Sequence, residues 1–109
     1  MVDMTPIAFA EREADLVRMT IMRTADGCIV ARRRRADDVI VPTHQEGEYN
    51  DVWRHVRSGG LYVRHDKVLD LETNRLCFDY SAFSDGRLWL RDAREWDEII
   101  EGRARFERA

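Results

Sequence analysis

Four consecutive arginines are the most conspicuous group of residues that could do chemistry: Arg32, Arg33, Arg34 and Arg35. Guanidinium groups form paired hydrogen bonds with carboxylates and phosphates, so the run could contact an acidic protein surface or a nucleic acid. If the run continues a strand, its side chains alternate between two faces, and only about half of them reach one ligand. Asp37 and Asp38 follow directly and can neutralise part of the charge. The pattern therefore favours a solvated, locally salt-bridged ribbon, with a partner contact as the alternative.

A second group of polar side chains is interleaved with aromatic residues in the second half of the chain: His55, Tyr62, Glu72, Tyr80 and Arg91. If they converge, they form a pocket rim that could bind an anionic metabolite. The same groups could equally form a structural network that satisfies a buried histidine. The neighbouring aromatics Trp53 and Trp89 suit a core or a stacking platform. The core is favoured, because a short chain needs most of its large side chains there.

Metal and catalytic motifs are not recognisable in the sequence. The histidines are His44, His55 and His65, and the last two are ten residues apart, which is no known ligand spacing. No serine is framed as Gly-x-Ser-x-Gly, and neither cysteine lies in a comparable glycine-framed turn. Adjacent carboxylates point away from each other and are predicted to be surface charge: Asp37 with Asp38, and Asp97 with Glu98. We predict no metal, no cofactor and no enzymatic activity.

Composition restricts the class of protein. The chain has 109 residues, 44% of them apolar and 36% charged, with a net charge of −3, so one domain with a modest core is expected. That charge argues against a large basic footprint for nucleic acid. Because no apolar run approaches the ~18 residues that span a bilayer, and no signal peptide is apparent, we predict a cytoplasmic protein with no membrane contact. Cys28 and Cys77 lie in apolar stretches and are predicted to be buried, reduced thiols.

The first 42 residues are predicted to form a helix followed by a β-meander. Thr5 and Pro6 resemble a helix start, and Ile7 and Ala10 would fall on one helical face, which predicts a helix within residues 1–15. Residues 16–42 alternate between apolar and polar and predict strands at 16–24, 28–34 and 39–41. Asp26 followed by Gly27 predicts the hairpin turn between the first two of these strands.

The rest of the chain predicts further short strands. Residues 43–51 are polar and predict a loop, and strands are predicted at 52–56, 61–63, 67–71, 76–80 and 87–91, with glycine turns between several of them. Trp96, Ile99 and Ile100 have helical spacing and predict a helix over 92–101, followed by a strand at 103–107. We therefore expect a single mainly β (α+β) domain over 1–109, built as a small, strongly bent sheet or SH3-like open barrel.

The residue order in the second half resembles the small bacterial proteins of domain-of-unknown-function family 1653. The matching positions are Trp53-Arg54-His55, Arg57, Gly59-Gly60, Tyr62, Glu72-Thr73, Phe78, Tyr80, Trp89-Leu90-Arg91, Trp96, Gly102 and Arg105-Phe106. Arg57, Asp92 and Trp96 depart from the lysine, proline and phenylalanine of that family. The resemblance covers residues 53–107 and implies a compact SH3-like unit there. Residues 16–42 would then be an added sheet that either extends this unit or offers a binding face. The resemblance implies no catalytic residues.

These observations predict a non-enzymatic binding module that docks on a larger protein through the arginine run and an exposed edge of the N-terminal meander. Small barrels with private extensions include phage-encoded inhibitors of bacterial defence systems, an analogy at the level of fold. The alternatives are a nucleic-acid-binding protein that uses the arginines and a small-molecule-binding β-barrel that uses the pocket rim. A homodimer through the N-terminal strands is also expected if certain apolar residues stay exposed, whereas packing of the N-terminal helix over them would give a monomer. Those residues are Ile21, Ile29, Val39 and Val41.

Overall fold

The computed structural model describes residues 4–41, 51–96, 99–100 and 103–109, without the side chains of residues 99, 100 and 103. Strands dominate this part of the chain and one short helix accompanies them, so the predicted mainly β class is confirmed. The elements in chain order are β1 Met4–Arg12, β2 Val17–Thr24, β3 Ile29–Arg33, β4 Asp51–His55, β5 Leu61–Asp70, β6 Arg75–Ala82, β7 Leu88–Asp92, α1 Ala93–Trp96, β8 Ile99–Ile100, β9 Arg103–Ala104 and β10 Phe106–Arg108.

Two three-stranded antiparallel meanders, β1–β2–β3 and β5–β6–β7, join to form a ring of six strands. β3 runs parallel to β5, with Val30 opposite Leu69. β1 runs parallel to β7, with Glu11 opposite Trp89. Strands β1 to β3 are therefore half of the ring, whereas the sequence predicted residues 16–42 as an added sheet that either extends a barrel over 53–107 or offers a binding face. β4 pairs with the first part of β5, and β10 pairs with β4 at the edge of this sheet.

The docking edge predicted for the N-terminal meander is shortened, because both outer strands of that meander pair on their second side over two residues each. β3 is held by β5 and β1 by β7. The apolar surface expected to drive dimerisation is also reduced, since Ile21 is only 1% exposed and Ile29 is partly buried. Val39 and Val41 do remain exposed. Closure of the ring thus covers the strand edge at Glu11–Arg12 of β1 and at Val30–Ala31 of β3.

The predicted N-terminal helix is wrong, because residues 4–12 form β1. A β-bulge between Pro6 and Ala8 shifts the register at Ile7. Ile7 and Ala10, which are three residues apart, therefore both reach the core. A bulged strand can mimic the i, i+3 spacing of a helix, and pairing with β2 and β7 outweighs the local helix preference.

Three other predictions of secondary structure differ from the structure. Residues 39–41 form no strand, and Val39 is 72% exposed. The helix predicted over 92–101 is limited to Ala93–Trp96 among the described residues, because Ile99–Ile100 pair with Arg103–Ala104 as β8 and β9. The predicted strands 61–63 and 67–71 are one strand, β5, with a bulge between Arg64 and Lys67. The predicted loop over 43–51 lies outside the described residues, except for Asp51, which begins β4.

Hairpin turns follow the sequence prediction closely. The β2–β3 turn contains Gly27 at φ 90°, and the β6–β7 turn contains Gly86 at φ 69°. Both are left-handed conformations that glycine adopts without a Cβ clash. The β5–β6 turn uses Asn74 at φ 57°, a residue type that tolerates this region.

Two apolar clusters lie on opposite faces of the strands. The first fills the ring with side chains from all six of its strands, among them Met19, Val68 and Leu90, which are fully buried. The second lies on the outer face of β6, where Trp96 of α1 and Phe106 of β10 cover Phe78 and Tyr80. Alternation along β6 separates the two clusters, since Cys77 belongs to the first and Phe78 to the second. Among the described residues, no helix has the length and apolar character needed to cross a membrane.

Candidate functional site: the arginine loop and the aromatic cluster

We call residues 32–41, which are the last two residues of β3 and the segment after it, the arginine loop. The side chain of Asp38 holds this loop in place through several hydrogen bonds. The Asp38 carboxylate accepts hydrogen bonds from Arg32 Nη1 at 2.9 Å and Nη2 at 2.8 Å, from the Thr20 hydroxyl, and from the Arg35 backbone N–H. Its side chain is 6% exposed. The Arg32 guanidinium holds the pKa of Asp38 well below its usual range. The prediction that Asp38 is surface charge is wrong, because it is the carboxylate around which the loop folds.

The four arginines of the run have different environments. Arg32 is a structural residue, since Asp38 binds it through two nitrogens. The guanidinium of Arg34 lies 3.9 Å from the centre of the Phe9 ring. Arg33 is 63% exposed, with its Nε 3.3 Å from Glu72 Oε2, and Arg35 is exposed. The predicted local salt bridge is therefore present at Arg32, while Arg33 pairs with a carboxylate that is distant in the chain.

The four arginines and Glu72 line a concavity of about 310 Å³. Glu72 belongs to the predicted pocket rim, but the structure places it elsewhere. It lies in the turn after β5, with Oε1 3.4 Å from Arg12 Nη1 and Oε2 beside Arg33. The parallel pairing of β3 with β5 brings this turn next to the arginine loop. The prediction that Glu72 joins the aromatic residues is therefore wrong.

The other four predicted rim residues do come together around the Phe106 ring, and we call them, with Phe106, the aromatic cluster. The ring centres of His55, Tyr62 and Tyr80 lie 5.2, 6.3 and 6.0 Å from that of Phe106. The Arg91 guanidinium lies 5.2 Å from the same centre. Antiparallel pairing of β10 with β4 sets Phe106 opposite His55 and so creates the cluster.

Glu13 completes the polar part of the aromatic cluster and was missed in the sequence, where it was assigned to a helix. Arg91 Nε donates to Glu13 Oε2 at 2.8 Å, Arg91 Nη2 also contacts the carboxylate, and the Tyr80 hydroxyl donates to it. Burial and the Glu13 carboxylate both raise the pKa of Tyr80. These three groups satisfy one another, whereas the network predicted as the alternative to a pocket was to satisfy a buried histidine, and His55 pairs with Ser58 instead.

His55 is held as a neutral ring. Its Nδ1 accepts a hydrogen bond from the Ser58 backbone N–H at 3.3 Å and lies 2.9 Å from the Ser58 hydroxyl. Burial lowers the pKa of His55, and the positive charges of Arg91 and Arg105 lower it further. The ring therefore packs edge-on against Phe106 as an aromatic group at neutral pH.

The remaining histidines and the cysteines form no shared site among the described residues. His65 Nε2 lies 2.7 Å from the Ser81 hydroxyl, and His44 lies outside the described part of the chain. No group of three or more possible metal ligands occurs within residues 4–41, 51–96, 99–100 and 103–109. Cys77 is buried as predicted, and burial raises its pKa to about 12. Cys28 is exposed, so that part of the cysteine prediction is wrong.

A buried carboxyl group that the sequence analysis also missed lies on β6. Asp79 is 3% exposed and accepts a hydrogen bond from the Asp66 backbone N–H at 2.6 Å, at the bulge of β5. Burial raises its pKa to about 7. An acidic residue between apolar neighbours in an alternating strand is the only sequence signal for this position.

The chain was compared with protein-family models, curated proteins and solved structures. None of the three comparisons finds a match.

Proposed function

We propose that this chain is a non-enzymatic binding module of the cytoplasm that docks on a larger protein through the arginine loop. The observation that carries the proposal is the rigid internal support of an exposed, cationic loop. Asp38 fixes the backbone at Arg35 and binds Arg32, while Arg33, Arg35 and Val39 stay on the outside. A surface that is already ordered loses less conformational entropy on binding, and arginine is enriched in protein interfaces.

The aromatic cluster supports this choice over a small-molecule pocket. Its polar groups already bind one another, since Glu13 accepts hydrogen bonds from both Tyr80 and Arg91. A ligand would have to replace those bonds with equally good ones to gain affinity. The ring interior offers little more, because Met19, Val68 and Leu90 fill it.

Binding to a protein is also favoured over binding to nucleic acid. With Arg32 neutralised by Asp38, the loop keeps three arginines on a chain whose net charge is −3. Proteins that bind through phosphates depend on several such contacts, and their affinity rises with the number of phosphates neutralised. The more specific prediction, a phage-encoded inhibitor of a bacterial defence system, belongs to the same class of small docking proteins.

The test compares two double variants that remove the same charge. Arg33→Ala with Arg35→Ala removes exposed loop arginines, and Arg54→Ala with Arg57→Ala removes exposed arginines of β4 and the following turn. Arg32 is left intact, because removing it would leave Asp38 buried without its main partner. The full chain is immobilised and exposed to a bacterial lysate with a cross-linker.

The proposal expects one set of captured proteins that the wild type and the control variant share and that the loop variant loses. Circular dichroism melts of all three proteins check that they are folded. Equal recovery by the loop variant, or no protein captured by the folded wild type, would show that the loop is not a docking surface.

A further inference from the structure

We infer that Glu72 occupies the place of a partner's carboxylate on Arg33, so that the arginine loop recognises an acidic polypeptide segment and Glu72 weakens that recognition. This inference rests on the proposed function and names the chemistry of the partner. Among the residues that the structure describes, Glu72 is the single acidic residue lining the concavity that the four arginines form.

The charges in the concavity leave an excess of positive charge. Arg32 is neutralised by Asp38, whose carboxylate faces it through both oxygens. Arg33 faces Glu72, while Arg34 and Arg35 add two more guanidinium groups. A carboxylate or phosphate entering this space meets a positive potential, and at physiological salt the potential acts over about 8 Å.

Glu72 is held loosely enough to be displaced. Its contacts to Arg12 and Arg33 are 3.4 and 3.3 Å long, and its side chain is 33% exposed. Arg12 does not depend on it, because Arg12 also binds Asp70 at 3.0 Å and Asp15 at 2.8 Å. Exposed ion pairs with such geometry contribute little to stability. An incoming carboxylate can therefore replace Glu72 on Arg33 without unpairing Arg12.

The apolar residues of the loop favour a polypeptide as the source of that carboxylate. Val39 is 72% exposed and Val41 is 44% exposed, and both follow the arginines on the same loop. Side chains of a peptide can pack on these valines, whereas a phosphate backbone cannot use them. Val39 directly follows Asp38, which binds Arg32, so the loop carries guanidinium groups and an exposed aliphatic group, which fits a segment in which acidic and apolar residues alternate.

The experiment measures fluorescence anisotropy of three labelled probes with the full chain at low salt. The probes are a peptide of alternating Glu and Leu, its Gln and Leu analogue, and a single-stranded oligonucleotide of equal charge. The protein variants are Glu72→Gln, Arg33→Ala and the control Glu107→Gln. Glu107 makes a similarly loose pair with Arg54, with its side chain 53% exposed, and lies on β10.

We expect Glu72→Gln to bind the acidic peptide about twofold to fivefold more tightly than the wild type, because the peptide carboxylate no longer has to displace the Glu72 carboxylate from Arg33. Arg33→Ala should bind it more weakly, and Glu107→Gln should bind like the wild type. A fourth variant, Val39→Ser, should bind the acidic peptide more weakly and the oligonucleotide with unchanged affinity. This result would separate the apolar contribution to binding from that of charge.

Several outcomes overturn the inference. They are unchanged or weaker peptide binding by folded Glu72→Gln, no binding of the acidic peptide by wild type, and tighter binding of the oligonucleotide than of the peptide. Failure here is distinguishable from failure of the proposed function. If the loop variant loses its captured protein while Glu72→Gln changes nothing, the loop is a docking surface and only the role of Glu72 is wrong.

Discussion

Asp79 makes the stability of this protein depend on pH in a direction opposite to that of most acidic residues. It is 3% exposed, and its hydrogen bond from the Asp66 backbone N–H does not offset the loss of solvation. Burial raises its pKa to about 7 from an ordinary value of 3.8, and the negative charge of Asp66 acts in the same direction. The folded state therefore binds a proton that the unfolded state releases between these two values.

The sign and size of the effect follow from that difference. Because the folded-state pKa is raised, the contribution of Asp79 to stability is complete below about pH 4 and is lost as the pH rises towards about 7. Each pKa unit corresponds to about 1.4 kcal/mol, so the three units give about 4 kcal/mol at most. That is a large share of the roughly 5 to 15 kcal/mol that stabilises a typical domain.

Asp79→Asn tests this directly, because the amide keeps an oxygen that can accept the Asp66 N–H but cannot ionise. The free energy of unfolding is measured by urea titration with tryptophan fluorescence, between about pH 5 and about pH 8. Over this range the stability of the variant relative to the wild type should increase by about 3 kcal/mol. Asp37→Asn, which changes an exposed aspartate, should leave the pH dependence of the wild type unchanged. Parallel pH curves for Asp79→Asn and the wild type would refute the reasoning.

Three further predictions concern the loop, the thiols and one strained residue. Asp38→Ala should lower the free energy of unfolding by about 3 kcal/mol, since it leaves Arg32 without its carboxylate, whereas Asp37→Ala should change it by less than about 0.5 kcal/mol. Equal losses would contradict the structural role assigned to the Asp38 carboxylate. Cys28 should react with a thiol reagent in the native protein and Cys77 only after denaturant is added, which mass spectrometry of the labelled peptides can show. Leu16 is exposed and has a left-handed backbone at φ 59°, which glycine adopts without a Cβ clash. Leu16→Gly should therefore raise the free energy of unfolding by about 0.5 kcal/mol and with it the melting temperature, and a lower melting temperature would count against backbone strain at this residue.

The sequence by itself determined the β class and most of the hairpins. Alternating apolar residues predict strands because neighbouring side chains on a strand face opposite sides, and this holds for β2 and for β4 to β7. The glycine turns at Gly27 and Gly86 could be placed because a left-handed backbone is a local requirement. The burial of Cys77 could also be predicted, because it lies in an apolar stretch of a predicted strand.

Part of the candidate site could also be predicted, but only as a list of residue types. His55, Tyr62, Tyr80 and Arg91 meet around Phe106 as expected. Their polar partner, Glu13, could not be found, because it lies 78 positions before Arg91 and its own segment mimicked a helix. The bulge at Ile7 that caused this mimicry exists only because β1 pairs with β2.

Tertiary structure alone decided which charges are structural and which are free to bind. Asp38 and Asp37 are adjacent and chemically identical, yet Asp38 is buried against Arg32 and Thr20 while Asp37 is exposed. Glu72 lies beside Arg33 because β3 and β5, which are far apart in the chain, are parallel neighbours in the ring. Local patterns specify the conformation of a segment, whereas the solvation and pairing of a charge depend on which distant segments pack against it.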